Sequence, residues 1–127
     1  MRPLLLDTQA FLWWVSDDAR LTLRARRAIA RQPCVMSVAS CWEMAIKSGL
    51  GTLTIEGDVG RFIGGQLAAN GFTLLPIALE HAVAVAALPF HHRDPFDRLL
   101  VAQALAEELR IVSPDAAFDQ YGVTRVW

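Results

Sequence analysis

The chain has 127 residues and a mass of 14.0 kDa, which fits one domain over residues 1–127 and is too short for two ordinary domains. Hydrophobic residues make up 54% and charged residues 20%, which excludes a disordered chain and leaves enough apolar surface for a core and a partner. The net charge of -1 and the pI near 6.3 exclude a strongly basic nucleic-acid-binding protein, so any contact with nucleic acid must be local.

The sequence predicts a cytoplasmic protein without membrane attachment. Asp7 interrupts the apolar run at the amino terminus, so that run is not a signal peptide. No uninterrupted apolar stretch reaches the about 18 residues that a membrane-spanning helix needs. Cys34 and Cys41 lie in apolar surroundings without metal-ligand spacing, which predicts two buried free thiols in a reducing compartment.

The amino-terminal half predicts two strands and four helices. Leu4–Leu6 is typical of a buried strand, and Ser37 is a suitable N-cap for a helix that Gly49 ends. In chain order we predict a strand at Leu4–Leu6, helix 9–14, an amphipathic helix over 21–29 preceded by Asp17 and Asp18, strand 34–36, helix 38–48, and a helix from Asp58 that stops near Gly71.

The carboxy-terminal half predicts three strands and two helices. In chain order these are strand 72–75, an alanine-rich and valine-rich helix over 79–88 that should be buried on more than one face, a helix from the N-cap Asp94 to Leu109, strand 110–112 and strand 124–126. Strands that alternate with helices indicate an α/β protein. We therefore predict a three-layer α/β/α sandwich with a central parallel sheet of four to five strands.

Four acidic residues, Asp7, Glu43, Asp97 and Asp115, follow strands or lie near helix starts. In parallel α/β folds, ligands bind beyond the carboxyl ends of the strands, where such residues meet. Clustered carboxylates repel one another, and a bound cation offsets that repulsion. Oxygen donors without a cysteine pair or paired-histidine spacing favour Mg²⁺ or Mn²⁺ over zinc, and these ions suit phosphodiester hydrolysis.

Each acid also has a purely structural interpretation. Asp94 and the acid one helical turn after it fit an N-cap and a first-turn residue favoured by the helix dipole. Glu43 and Lys47 are spaced as a solvated helical ion pair, and residues 113–115 fit a turn. Asp7 is the hardest to explain structurally, because an unpaired carboxylate after an apolar strand is costly to bury.

Three other groups have open roles. We expect His91 and His92 to lie in a solvated loop, although substrate contact and a metal site are alternatives. Arg93 and Arg98 could hold phosphate or pair with neighbouring acids. The tryptophans suit packing in the core or an interface better than stacking on bases, and their positions are Trp13, Trp14, Trp42 and Trp127.

Four segments occur together in one order, namely LLLDT at 4–8, SVASCWEMAIK at 37–47, HRDPFDRLLVAQA at 92–104 and IVSPD at 111–115. Over essentially its whole length the chain resembles PIN-domain ribonucleases of the VapC toxin type. The resemblance implies an Mg²⁺-dependent or Mn²⁺-dependent endoribonuclease that is the toxin of a type II toxin-antitoxin pair. It also implies that the protein is often a homodimer and that a small cognate antitoxin inhibits it by inserting its tail into the acidic cleft.

The resemblance also assigns roles to individual residues. The first to fourth acids of the family correspond to Asp7, Glu43, Asp97 and Asp115, with Thr8 and Ser113 as hydroxyl supports and Asp94 as a residue that could share or replace the third role. Two other functions stay open. One is another α/β phosphohydrolase, although Gln9 stands where such enzymes usually place a second acid, and the other is an inactive PIN-like protein-binding module.

Overall fold

A parallel sheet of five strands forms the centre of the protein, for which a computed structural model describes residues 2–127. The strands are β1 (Leu4–Leu6), β2 (Cys34–Ser37), β3 (Thr73–Leu75), β4 (Arg110–Val112) and β5 (Arg125–Val126). Their order in the sheet is β3-β2-β1-β4-β5, and every neighbouring pair is parallel. Residues that follow β1, β2 and β4 therefore lie side by side at one edge of the sheet.

Six α-helices connect these strands, namely α1 (Thr8–Val15), α2 (Leu23–Arg31), α3 (Val38–Gly49), α4 (Val59–Asn70), α5 (Leu79–Ala84) and α6 (Pro95–Glu107). Short 3₁₀ helices follow at Val85–Ala87 and Ala116–Tyr121. The predicted N-caps Ser37, Asp58 and Asp94 each accept a backbone N–H, at the starts of α3, α4 and α6. None of the helices in residues 2–127 is both long enough and apolar enough to cross a membrane.

The sheet separates two hydrophobic cores, because successive side chains of a strand point to opposite faces. Leu4 and Leu6 of the fully buried central strand pack in one core with Phe11 of α1. Leu5 packs in the other core with Leu100 of α6 and with Phe118. The protein is therefore a three-layer α/β/α sandwich, and the predicted fold class and strand number are confirmed.

Helix α5 differs from the prediction. It ends at Ala84 and continues as a 3₁₀ turn, whereas we predicted one helix over 79–88. The expected burial on more than one face is also wrong, because Leu79 is 81% exposed and Val83 is 63% exposed. The buried residue of α5 is instead His81, whose Nε2 lies 2.9 Å from Glu107 Oε1. The apolar composition of α5 therefore corresponds to an exposed apolar surface and not to a helix buried on several faces.

Helix α2 begins later than Asp17 and Asp18 suggested. Thr22 is its N-cap, and its hydroxyl accepts the Ala25 N–H at 3.1 Å. Asp18 instead forms a salt bridge with Arg20, two residues later in the chain, whose Nη2 lies 2.8 Å from Asp18 Oδ2. The Thr22 hydroxyl therefore caps α2 in place of the two acids, which pair with nearby cationic side chains.

Both cysteines are free thiols. Cys34 is buried as predicted, and burial raises the pKa of its thiol to about 12. Cys41 is only half-buried, and burial is again the main cause that raises its thiol pKa. Because the thiolate is the reactive form, both residues are poor nucleophiles near neutral pH.

Candidate active site

A cleft at the carboxyl edge of the sheet gathers the acidic residues. Its volume is about 210 Å³, and the acids that line it are Asp7, Glu43, Asp94, Asp97 and Asp115. Asp7 directly follows the central strand β1, and Asp115 lies three residues beyond the end of β4. The strand order explains the gathering, because β1 lies between β2 and β4.

Three of these acids also cap helices. Asp7 Oδ1 accepts the Ala10 N–H of α1 at 2.7 Å, and Asp94 Oδ1 accepts a backbone N–H of α6 at 2.8 Å. Asp115 Oδ1 accepts the Ala117 N–H at 2.9 Å. The predicted cap and turn roles are therefore real, and each uses Oδ1 of its carboxylate. The caps anchor these acids at helix N-termini, whose partial positive charge favours anions.

Glu43 reaches the cleft from helix α3 and is buried. The Thr8 hydroxyl donates to Glu43 Oε1 at 2.5 Å, which is compatible with the support role that the resemblance implies for Thr8. Lys47 Nζ lies 2.9 Å from Glu43 Oε2, which is the predicted i,i+4 pair. The hydrogen bond to Glu43 raises the pKa of Lys47, so the ammonium stays charged inside the cleft.

Burial changes the protonation of two acids. It raises the pKa of Asp7 to about 6, against hydrogen bonds from Ser113 and Ala10 that lower it. Burial also raises the pKa of Asp97 to about 7, and the negative charges of Asp94, Asp7 and Glu43 add to that rise. Both acids are thus destabilised as carboxylates in the protein alone. A cation among them would relieve this cost.

Asp115 differs from these two acids. Burial raises its pKa, but hydrogen bonds from the Ala117 amide and from His92 outweigh burial and lower the pKa overall. The cleft therefore holds one acid that ionises easily beside two that resist ionisation. Its donors are carboxylate oxygens without a cysteine, a set that fits a hard divalent cation.

His92 lies between two of the acids and is the main residue that the sequence analysis missed. Its Nε2 is 2.9 Å from Asp115 Oδ2 and 3.0 Å from Asp97 Oδ2. The expectation of a solvated loop is wrong for His92, whose ring is partly buried, whereas His91 is exposed. No spacing rule predicts the contact, because the His92 loop has no regular structure and Asp115 lies on another element.

Comparison with known families gives a match over almost the whole chain: a family model described as PIN domain matches residues 4–123. The chain belongs to the PIN-domain family. A comparison with curated protein sequences found no significant match.

Several solved structures share the PIN fold of this chain. A chain of the Rickettsia felis VapBC2 complex bound to a promoter DNA fragment has a TM-score of 0.71 at 11% identity, with coverage of 98% of this chain and 97% of that one. The Neisseria gonorrhoeae FitAcB structure has a TM-score of 0.59 at 17% identity, with coverage of 96% and 95%. A toxin-antitoxin complex from Klebsiella pneumoniae also has a TM-score of 0.59 at 17% identity, with coverage of 88% and 86%.

Arg98 has a structural position in this PIN domain. It is buried, and its guanidinium donates to the carbonyl of Pro89 at 2.9 Å and to that of Val85 at 3.1 Å. The interpretation of Arg98 as a phosphate ligand is therefore wrong, because loop carbonyls occupy its donors and it does not line the cleft. Arg93 is exposed and does not line the cleft either, so its contact with phosphate stays a prediction.

Replacing the buried Arg98 by methionine should destabilise the PIN domain by about 2–4 kcal/mol, because three partly buried carbonyls and the Tyr121 hydroxyl would lose a charged donor. Urea unfolding of the two proteins would measure the difference. Arg93→Met is the matched control, and as an exposed substitution it should change stability by less than about 0.5 kcal/mol. Equal stabilities for the two variants would contradict the structural role of Arg98.

Proposed function

We propose that this PIN domain is a metal-dependent endoribonuclease, the toxin of a toxin-antitoxin pair. The observation that carries the proposal is the cleft in which a PIN-family chain gathers Asp7, Glu43, Asp97 and Asp115 at the carboxyl edge of its sheet. Membership in the PIN-domain family supports a nuclease. The raised pKa values of Asp7 and Asp97 support a cation site, since burial disfavours both carboxylates unless positive charge is present.

The residues divide into metal ligands and supports. Asp7, Glu43 and Asp97 would hold the principal Mg²⁺ or Mn²⁺, while Asp115 would help with a second ion or with water, and Asp94 could share the role of Asp97. When bound, an ion of this kind lowers the pKa of a water molecule and stabilises the leaving oxygen of a phosphodiester. The protein would fix the carboxylates through its helix caps and through the hydroxyls of Thr8 and Ser113.

Lys47 is the candidate for binding the phosphate of the RNA. It is the only lysine of the chain, it lines the cleft, and its side chain is 50% exposed although it pairs with Glu43. Its raised pKa keeps the ammonium charged at neutral pH. A single cation in an acidic cleft suits a chain with a net charge of -1, whose contact with RNA must be local.

Incubation of a mixed RNA pool with the purified chain tests the proposal. We expect cleavage with Mg²⁺ or Mn²⁺ and none with EDTA. Single-stranded DNA of the same sequences and p-nitrophenyl phosphate are the parallel substrates, because hydrolysis of the monoester alone would favour the phosphohydrolase. Folded, antitoxin-free protein that cuts none of these substrates would contradict the nuclease and favour the binding module.

We further propose that a small antitoxin inhibits this PIN domain by inserting its tail into the acidic cleft. Three of the similar structures are described as toxin-antitoxin complexes or as VapBC2 and FitAcB. The cleft has a volume of about 210 Å³ and is lined by five acids and one lysine. A tail that carries a cationic side chain would neutralise the same carboxylates that we assign to the metal ion. Antitoxin and Mn²⁺ should therefore compete for the cleft.

We also propose a homodimer through an apolar surface on α3, α5 and α6, the Trp42 face, which consists of Val38, Trp42, Ile46, Ala82 and Phe96. Trp42 is 59% exposed, and its ring packs edge-on against Phe96 at a centroid distance of 5.3 Å. A shallow cavity of about 270 Å³ next to these rings has an almost wholly apolar lining. Large contiguous apolar surfaces on small proteins are usually covered by a partner, and a second copy is the partner that the resemblance implies.

Trp42→Glu should convert the dimer to a monomer, because it places a charge in the centre of the proposed interface. Light scattering after gel filtration would give the mass of each species. Leu23→Glu is the matched control: Leu23 is 60% exposed but lies on α2. If the Trp42→Glu chain has the same mass as the wild type, the Trp42 face is not the interface.

A further inference from the structure

His92 joins two acids that belong to different parts of the chain. Asp97 lies in the first turn of α6, whereas Asp115 follows β4 and caps a 3₁₀ helix. We propose that His92 is a positioning residue for cation binding, because its Nε2 donates a hydrogen bond to Asp115 Oδ2 and lies 3.0 Å from Asp97 Oδ2, and that it is not itself a metal ligand. This inference rests on the proposed function, since it concerns the same cleft.

The hydrogen bond at the other ring nitrogen supports the donor role. His92 Nδ1 accepts the backbone N–H of Asp94 at 3.1 Å, so Nδ1 must present a lone pair. The ring proton is thereby assigned to Nε2. That proton is donated to Asp115 Oδ2 at 2.9 Å, and Asp97 Oδ2 lies 3.0 Å from the same nitrogen. A nitrogen that carries a proton has no lone pair for a metal, so His92 acts through the acids.

The loop that carries His92 is anchored on both sides. The backbone N–H of His91 donates to the Tyr121 hydroxyl at 3.0 Å, and Arg98 donates to the same hydroxyl at 3.3 Å. Arg98 also holds the carbonyl of Pro89. On the other side, Asp94 caps α6 and donates its N–H to the His92 ring. The buried Arg98 therefore anchors the loop that carries His92. This role accounts for a buried charge outside the cleft.

The His92 ring offsets electrostatic repulsion between two carboxylates in the cleft. Asp97 and Asp115 lie on separate elements, and two carboxylates that approach each other in this way repel. The imidazole donates to Asp115 Oδ2 at 2.9 Å, and the same nitrogen attracts Asp97 Oδ2 electrostatically at 3.0 Å, so both oxygens lie next to one nitrogen. Outer-shell partners of this kind orient the ligands and typically contribute about 10–100-fold to metal affinity.

Titration calorimetry with Mn²⁺ tests the inference without an activity assay. We expect His92→Ala to weaken Mn²⁺ binding by about 10–100-fold, the usual cost of losing an outer-shell partner. His92→Gln should restore most of the affinity, because its amide nitrogen can donate from close to the position of imidazole Nε2. His91→Ala is the matched control and should bind as the wild type does, since its hydrogen bond to Tyr121 uses the backbone.

A second readout separates positioning from coordination. We expect electron spin echo spectra of the wild-type Mn²⁺ complex to show no nitrogen bound directly to the ion from His92. The nitrogen signals of the wild type and His92→Ala should therefore be the same. Such a nitrogen, equal affinities for the wild type and His92→Ala, or an equal loss in the Ala and Gln variants would each overturn the inference. A wild-type chain that binds no Mn²⁺ would overturn the proposed function itself and this inference with it.

Discussion

Asp7→Asn should abolish RNA cleavage and yet make the metal-free protein more stable at pH 8. The activity should fall by more than the about 10–100-fold typical of outer-shell changes, because Asp7 is proposed to contact the ion directly. Stability should rise because burial raises the pKa of Asp7 to about 6, so a carboxylate is costly there at pH 8. Asparagine removes the charge, and its side-chain oxygen can still accept the Ala10 N–H that caps α1.

Asp17→Asn provides the matched control for this experiment. Asp17 has an exposed side chain and a φ of 52°, a conformation that asparagine tolerates well. Its variant should cleave RNA as the wild type does and should not gain stability at pH 8. Both variants can be compared by initial cleavage rates and by urea unfolding in EDTA. Cleavage by Asp7→Asn at the wild-type rate would contradict the assignment of Asp7.

Much of the fold was predictable because its local sequence signals agree with the final structure. Leu4–Leu6 is apolar at each position and became the central strand, buried on both faces. Asp94 followed by Pro95 predicted the start of α6, which begins at Pro95. Helix α5 was predicted less well, since an apolar composition does not distinguish a buried helix from a helix whose apolar side faces solvent or a partner.

The cleft was predictable to the extent that it depends on topology. Asp7 and Asp115 follow parallel strands, and parallel strands bring such residues to one edge. Side chains that contact the cleft acids from irregular segments escaped prediction, because no periodicity describes their direction. His92 is the clearest case. Arg98 is the opposite case: this cation lies beside an active-site motif, but its Nη1 and Nη2 donate to backbone carbonyls and to Tyr121.

The helix caps reconcile the structural and functional interpretations of the acids. A capped aspartate keeps a fixed direction because one oxygen accepts a backbone N–H, as Asp7 Oδ1 does from Ala10. The cap leaves the second oxygen for another partner, and the N-terminus of the helix supplies partial positive charge. In this cleft a cap and a metal ligand are compatible roles of one residue. From the sequence alone, a structural role and a site role are alternatives for Asp94 and Asp115, but one residue can serve in both.

The metal-free protein should lose stability as the pH rises from about 4 to 7, and a divalent cation should reverse that trend. Asp7 and Asp97 have folded-state pKa values of about 6 and 7, raised from 3.8, so the folded chain binds more protons than the unfolded chain within this window. Their favourable contribution is therefore complete below pH 4 and is lost as the pH passes 6–7. For Asp7 the loss is at most about 3 kcal/mol.

Urea unfolding at pH 5, 6, 7 and 8, with EDTA or with Mg²⁺, measures this dependence. The ion competes with protons for the same oxygens, so Mg²⁺ should stabilise the protein more at pH 8 than at pH 5. Subtracting the profile of Asp7→Asn gives the contribution of Asp7 together with its effect on the pKa of Asp97, since groups farther away titrate alike in both proteins. Parallel profiles for the two proteins would mean that Asp7 ionises in the folded chain as easily as in the unfolded one, and would remove the electrostatic reason for a cation in the cleft.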